Sequence, residues 1–178
     1  MIVSPQEYSN MTHSLQDPNT YAPLIRIPKD EPVYEVNLDT RKISIPEFLS
    51  VKEDHNAEVI WFKVRRFYDD IDLFNSTCWI QYINADKEEY FYAAPKMVYS
   101  EDFGNEWILI PWIISKEVAK REGEVSFAFQ FFKISEDAKR FLYILNTQPA
   151  KGKILHGMGV LPYGFLEDGT LTEEQTLP

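Results

Sequence analysis

An alternating run of aromatic and small side chains constrains the fold more than any other part of this sequence. Four large apolar residues occupy every second position of the run: Val125, Phe127, Phe129 and Phe131. Successive side chains of a β-strand point to opposite faces, so this period predicts a strand with one buried face. The polar or small residues between them predict an outer face that is less apolar.

Further short segments of strand character recur along the chain with turn-forming residues between them. We expect strands at 33–38, 43–45, 58–66, 77–84, 90–93, 97–99, 107–110, 125–132 and 141–145. Pro111 is expected to end the strand that precedes it. One short helix is predicted from Ser115, a suitable N-cap, to Gly123, a suitable terminator.

About eight or nine short strands at this spacing indicate an all-β fold, an antiparallel sandwich or barrel. We predict an antiparallel β-sandwich with one short helix and extended N- and C-terminal arms. Strands and helices do not alternate along the sequence, which argues against a doubly wound α/β fold.

The two ends of the chain differ in composition from its middle. Residues 1–32 hold five of the eleven prolines and no periodic apolar pattern, which predicts an extended arm. Residues 33–150 are the predicted sandwich domain. Residues 151–178 are the predicted tail, rich in glycine and, at its end, in acidic residues; we expect it to gain order from a partner.

Apolar residues in both arms are candidates for contacts with a surface. Two interpretations of the N-terminal arm are equally consistent with the sequence: it packs on its own domain, or it docks on a neighbouring subunit. The candidate interface residues are Tyr21, Leu24, Ile25, Ile27, Leu155, Leu161, Tyr163 and Phe165.

Charge and cysteine content exclude several classes of partner. The formal net charge of −10 predicts repulsion from nucleic-acid phosphates and anionic lipid headgroups, so neither is an expected partner. No apolar run is long enough for a spanning helix. Cys78 is the only cysteine, which rules out a disulfide within the chain and fits synthesis in a reducing bacterial cytoplasm. It is expected to be a small buried apolar residue.

No residue pattern predicts a catalytic, cofactor or metal site. The histidines His13, His55 and His156 are scattered over arm, loop and tail. The acidic loop 69–72 could bind a cation through its aspartates, but it lacks the glycine and distal glutamate of a calcium loop, so a solvated loop is the expectation. Phosphate-binding, metalloprotease and serine-hydrolase motifs are missing from the sequence.

Several short motifs, taken in order, resemble a known family. These are Asn37-Leu38-Asp39-Thr40-Arg41, Pro46, Asp54-His55-Asn56-Ala57-Glu58, Ile60-Trp61-Phe62 and Arg65-Arg66. Together they resemble the N-terminal domain of baseplate upper proteins, which are tail proteins of phages of Gram-positive bacteria. The resemblance extends over residues 33–158. It implies a β-sandwich that attaches to a symmetric virion core, usually as a homo-oligomer.

The resemblance also suggests local roles for its motif residues. Asp39, Thr40 and Arg41 would fix a hairpin turn, and the group Asp54, His55, Asn56 and Glu58 would shape the following loop, with Arg65 ending the next strand. The alternative interpretation is that these residues bond only to local backbone and touch no partner.

The expected function is that of a non-enzymatic structural subunit of a tailed-phage virion. Its expected partners are other virion proteins and copies of itself. It would belong to the baseplate or tail, or act as a connector or fibre anchor. Family members continue into a fibre region whereas this sequence ends at Pro178, which favours a connector or fibre anchor. The alternative is a carbohydrate-binding adhesin or a head-decoration or head-fibre protein, with a host glycan as ligand.

Overall fold

A computed structural model of the chain describes residues 30–102 and 105–157, with side chains for 30–98 and 106–157. Strands dominate this part of the chain, as the sequence predicts, and nine of them have five residues or more. In chain order the strands are β1 Val33–Asn37, β2 Lys42–Ile43, β3 Ser50–Val51, β4 Val59–Arg65, β5 Phe67–Tyr68, β6 Ile71–Asp72, β7 Thr77–Ile83, β8 Glu89–Ala93, β9 Met97–Asp102, β10 Asn105–Ile113, β11 Gly123–Ile134, β12 Phe141–Asn146 and β13 Ala150–Leu155.

The strands form two principal sheets that pack face to face. One sheet has the order β2-β1-β4-β10-β9, and the other has the order β3-β13-β11-β7-β8 with β12 also paired to β11. A small third sheet consists of β5 and β6. The fold is therefore a β-sandwich of the kind expected from the alternating pattern.

Aromatic side chains from both sheets fill the space between them. Phe62 of β4 lies 5.0 Å from Phe129 and 6.0 Å from Phe127 of β11, measured between ring centroids. Trp112 of β10 lies 5.0 Å from Phe127. All four rings are buried, so the alternating run of β11 supplies the core as predicted.

Two pairs of neighbouring strands are parallel rather than antiparallel. β1 runs parallel to β4, and β13 runs parallel to β3. A parallel pair needs a long connection, and residues 38–58 between β1 and β4 provide one that visits the other sheet through β3. The sandwich is consequently mixed, although most of its pairs are antiparallel as expected.

The helix predicted between Ser115 and Gly123 is wrong: the segment forms a single turn at 116–119. The amides of Val118 and Ala119 both donate to the carbonyl of Ser115. Two later carbonyls of the segment accept hydrogen bonds from residues outside it. The Glu117 carbonyl accepts from the Asn84 side chain, and the Ala119 carbonyl accepts from the Glu53 amide. A helix cannot propagate when its acceptors are used in this way. The described helical element is a 3₁₀ turn at Leu73–Asn75.

The expectation that Pro111 ends its strand is also wrong, because β10 continues to Ile113. The hydrogen bonds from Arg66 N to Glu106 O and from Ile114 N to Glu58 O show that even-numbered residues of β10 direct their backbone N–H and C=O groups toward β4. Odd-numbered residues, including Pro111, therefore direct their backbone nitrogen away from β4. β9 pairs only as far as Leu109, so no ladder donor is missing at Pro111.

The predicted boundaries of the domain need one correction. β13 pairs with β11 from Ala150 to Ile154, so the sandwich extends beyond the boundary placed at residue 150. The N-terminal arm up to residue 29 and the tail from residue 158 lie outside the described residues. Among the described residues, no helix has the length and apolar character needed to cross a membrane.

Candidate assembly surfaces

The hairpin turn between β1 and β2 is held mainly by Asn37, a residue for which the motifs predict no such role. The side-chain oxygen of Asn37 accepts hydrogen bonds from the amides of Asp39 at 2.9 Å and Thr40 at 3.1 Å. The Thr40 hydroxyl accepts a longer one, of 3.4 Å, from the Lys42 amide. Asn37 thus makes an Asx turn, and the Asp39 amide, rather than its carboxylate, contributes to it.

Arg41 connects this hairpin to the other sheet and to the small sheet. Its φ of 64° lies in the left-handed region. The guanidinium donates to the carbonyl oxygen of Asn146 at 2.7 Å and to the Tyr68 hydroxyl at 3.2 Å, and it lies 5.4 Å from the Tyr68 ring centroid. A planar group with several donors suits such a bridge.

The loop that precedes β4 packs on the turn where the helix was expected. His55 Nδ1 accepts from the Lys116 amide at 3.0 Å, and the Asn56 amide donates to the Ile114 carbonyl at 2.9 Å. Asp54 accepts from the Ser50 hydroxyl at 3.0 Å. One of these contacts joins a side chain to backbone, one joins two backbone groups and one joins two side chains, and all three lie within the same domain.

The two motif groups do not form one site. Val33 of β1 lies opposite Trp61, so the hairpin turn is near the Arg65 end of β4 while the Asp54–Glu58 loop is at its start. Seven residues of strand separate the two groups by roughly 20 Å. Arg65 itself lies over the ring of Trp107, with 4.8 Å from its guanidinium carbon to the ring centroid.

An arginine between two phenylalanines organises the acidic loop. Arg66 donates to both carboxylate oxygens of Asp72, at 2.9 and 2.8 Å, and to Glu106 at 2.9 Å. Its guanidinium carbon lies 5.2 Å from the Phe67 ring and 5.6 Å from the Phe74 ring. The bond from Arg66 holds the pKa of Asp72 below its ordinary value. Asp72 is therefore engaged by an arginine and not presented to a cation.

The described residues offer little chemistry for catalysis. Burial raises the pKa of the Cys78 thiol to about 12, so it is not a nucleophile at neutral pH. Within residues 30–102 and 105–157, no cluster of three histidine, cysteine or acidic side chains could hold a metal ion. The side chains of all four tryptophans are buried, so none offers an open face for stacking on a sugar.

The outer face of the six-stranded sheet carries exposed apolar side chains at β12. Ile144 lies opposite Phe132 in the ladder and so on the same face, pointing away from the core. Ile144 is 45% exposed, and Leu142, two residues earlier on the same strand, is 50% exposed. We name these two side chains the β12 strip.

The backbone beside the β12 strip is also open to pairing. The hydrogen bond from Thr147 N to Phe129 O shows that odd-numbered residues of β12 direct their backbone N–H and C=O groups toward β11. Ile144 therefore directs its amide and carbonyl away from β11, as does Asn146, whose carbonyl accepts from Arg41. Among the described residues, no strand pairs with β12 on this side. An exposed apolar edge of this kind is a typical site for strand addition by a partner.

A groove continues the apolar surface across the same sheet. Its volume is about 590 Å³, and its lining includes Trp79, Ile83, Phe91, Ala128 and Pro149. The rings of Trp79 and Phe91 stack with 4.0 Å between centroids, which makes the floor of the groove rigid. The apolar surface therefore extends over several strands.

Of the eight candidate interface residues, the structure describes one. Leu155 lies at the end of β13, opposite Val51 of β3, and its side chain is exposed. Tyr21, Leu24, Ile25, Ile27, Leu161, Tyr163 and Phe165 lie outside the described residues. The β12 strip was not among the candidates, because the sequence of β12 resembles that of a fully buried strand.

Similarity to known proteins is found among solved structures and not among family models or curated proteins. No family model and no curated protein matches it. One solved structure, the N-terminal domain of phage TP901-1 ORF48, is similar with a TM-score of 0.40 and 11% sequence identity, over 70% of this chain and 97% of that one. We draw no functional conclusion from a likeness at this level.

Proposed function

We propose that this chain is a non-enzymatic structural subunit of a tailed-phage virion, which docks to neighbouring subunits through the exposed edge of β12. The observation that carries the proposal is the β12 strip. Leu142 and Ile144 are half exposed, and the outward backbone groups of Ile144 have no strand partner among the described residues. A neighbour that adds a strand there would gain backbone hydrogen bonds and cover both side chains.

The ordered motifs supply the second line of support, and they indicate the phage context. Arg41 and Asn56 each bond to backbone in another part of the domain, which makes the sandwich a rigid support rather than a mobile one. A rigid scaffold with an apolar edge is what a repeated contact in a symmetric assembly requires. The virion location and the identity of the neighbours belong to this proposal.

A substitution on the strip tests the proposal in particles. Ile144→Asp would place a charge in the docking contact, and it should remove the protein from purified particles while the isolated chain stays folded. The matched control is Ile45→Asp, which replaces a side chain of 43% exposure away from the outer face of this sheet. Quantitative mass spectrometry of particles made with each variant gives the copy number.

Incorporation of the Ile144→Asp variant at the normal copy number would overturn docking through β12. Absence of the unchanged protein from purified particles would overturn the structural role itself. Circular dichroism of each purified variant controls for unfolding.

A further inference from the structure

Strand β8 forms an edge of the six-stranded sheet, and the first part of this edge is open. Among the described residues, β8 pairs with β7 alone. The hydrogen bond from Ala94 N to Cys78 O, at 3.0 Å, continues this ladder and shows that even-numbered residues direct their backbone groups toward β7. Glu89, which is exposed, and Phe91, which is half-buried, therefore direct their amides and carbonyls away from the sheet. An extended segment of a partner can pair with these groups.

A pocket of about 290 Å³ lies beside this edge and is lined mainly by aromatic rings, among them Tyr90 and Tyr92 of β8. Tyr90 lies opposite Tyr82 of β7, and their rings stack with 5.5 Å between centroids. Tyr82 lies 5.7 Å from the buried ring of Trp112. Tyr90 is 37% exposed, so the pocket can be reached from solvent. We name it the tyrosine pocket; its volume suits one side chain, because pockets for whole small molecules hold roughly 300–1,000 Å³.

The tyrosine pocket contains a carboxylate that no cation of the described chain neutralises. Glu117 is half-buried and lines the pocket, and its backbone carbonyl is held by the Asn84 side chain at 2.9 Å. Burial raises the pKa of Tyr82, and the negative charge of Glu117 acts in the same direction, so the carboxylate lies close to that phenol. Lys120, three residues further along, is bonded to Glu88 at 3.0 Å instead.

Aromatic faces beside a carboxylate favour a cationic head group. A cation over a tyrosine or tryptophan ring is attracted by the ring quadrupole, and the attraction grows where water is excluded. Glu117 adds a direct attraction between opposite charges. The edge itself is acidic, because Glu89 is exposed there, and the whole chain has a formal net charge of −10. Lysine and arginine are the side chains that match this pocket and this charge.

We propose that the β8 edge binds an extended basic segment of a partner protein. The segment adds a strand through Glu89 and Phe91, and a lysine or arginine side chain opposite Tyr90 enters the tyrosine pocket beside Glu117. Directly opposite residues of paired strands share a face, so a side chain opposite Tyr90 points toward this pocket. A second copy that pairs its own β8 does not fit, because Glu89–Ala93 contains no cation. This inference concerns a different edge from β12 and does not depend on the proposed function.

Two synthetic peptides that differ only in charge test the preference for a cation. The probe is acetylated and amidated Thr-Val-Lys-Val-Thr, and the control is the same peptide with neutral norleucine in place of lysine. In an NMR titration of the full chain, the lysine peptide should shift the amide resonances of Glu89 and Phe91 and slow their exchange with solvent. The norleucine peptide should bind about tenfold more weakly. Equal binding of the two peptides, or no shift of these amides, would overturn the proposal.

The substitution Glu117→Gln tests the pocket assignment. It removes the charge and keeps the carbonyl that accepts from Asn84, so an unchanged Asn84 side-chain resonance and Tm should show that the fold is retained. The variant should bind the lysine peptide about as weakly as the unchanged protein binds the norleucine peptide. The matched control Glu136→Gln removes an exposed glutamate from the turn between β11 and β12 and should leave binding as it is. Full affinity of Glu117→Gln for the lysine peptide, or an equal loss in the control, would contradict the assignment.

Discussion

Replacing Gly152 by alanine tests a close approach on which the edge of the six-stranded sheet depends. Gly152 is buried in β13, opposite Val125 of β11. A Cβ atom there would lie 2.5 Å from Cδ1 and 2.6 Å from Cγ of Leu49, far inside normal contact distance. Leu49 cannot easily withdraw, because it is fully buried and its amide is bonded to the Lys153 carbonyl at 2.8 Å.

The expected magnitude follows from two opposing effects. Overpacking of a filled core costs about 1–3 kcal/mol. Loss of glycine's freedom in the unfolded chain returns about 0.4–1 kcal/mol. The clash is the larger effect, so Gly152→Ala should lower the free energy of unfolding by about 1–2 kcal/mol, or the Tm by a few degrees, about 2–4 °C per kcal/mol for a chain of this size.

A double-mutant cycle with Leu49→Ala isolates the contact. Leu49→Ala alone should cost about 2–5 kcal/mol through the cavity it leaves. In the double variant the new methyl group at position 152 occupies part of that cavity, so the combined loss should be smaller than the sum, by about 0.5–3 kcal/mol. Urea unfolding followed by tryptophan fluorescence gives each value. Additive losses, or a stabilising Gly152→Ala, would refute the described approach of Leu49 to β13.

Two further predictions concern titratable groups. Arg66 holds the pKa of Asp72 below its ordinary value of 3.8, so the stability that Asp72 contributes is present above that pH and is lost as the pH falls through the folded-state pKa. Asp72→Asn should therefore unfold with a shallower dependence on pH below about 5, and equal slopes for the two proteins would contradict this. Cys78 should resist iodoacetamide at pH 8 in the native protein and react in urea, as mass spectrometry would show; rapid native alkylation would contradict its burial.

The sequence predicted those parts of the fold in which local pattern and tertiary packing agree. β4 and β11 alternate because one face of each packs in the core, and that period is readable without any partner. β13 was missed because Lys151, Gly152 and Lys153 give no apolar pattern. Glycine is required there by the approach of Leu49, a distant residue that no local window contains.

The errors at Ser115 and Pro111 have the same origin. Ser115 does begin one turn, as its N-cap character predicts. The helix does not continue, because Asn84 and Glu53 donate to the carbonyls of Glu117 and Ala119. Pro111 is tolerated because β9 ends before reaching it. In each case the outcome depends on which neighbour is present, and this is a property of the fold and not of the segment.

The candidate surface could be predicted only in part. β12 was predicted as a strand, but Leu142 and Ile144 look like core residues in the sequence. Their exposure follows from the position of β12 at the edge of β11, with no further strand among the described residues to cover it. Exposure of this kind is set by topology, which a single sequence does not reveal.

The most direct measurement of the central proposal is the composition and reconstruction of purified phage particles that encode this chain. Mass spectrometry should detect the protein at a fixed copy number, and cryo-electron microscopy should place a symmetric set of β-sandwiches whose β12 edges contact a neighbouring subunit. A protein that is produced during infection yet absent from the finished particles would contradict the account.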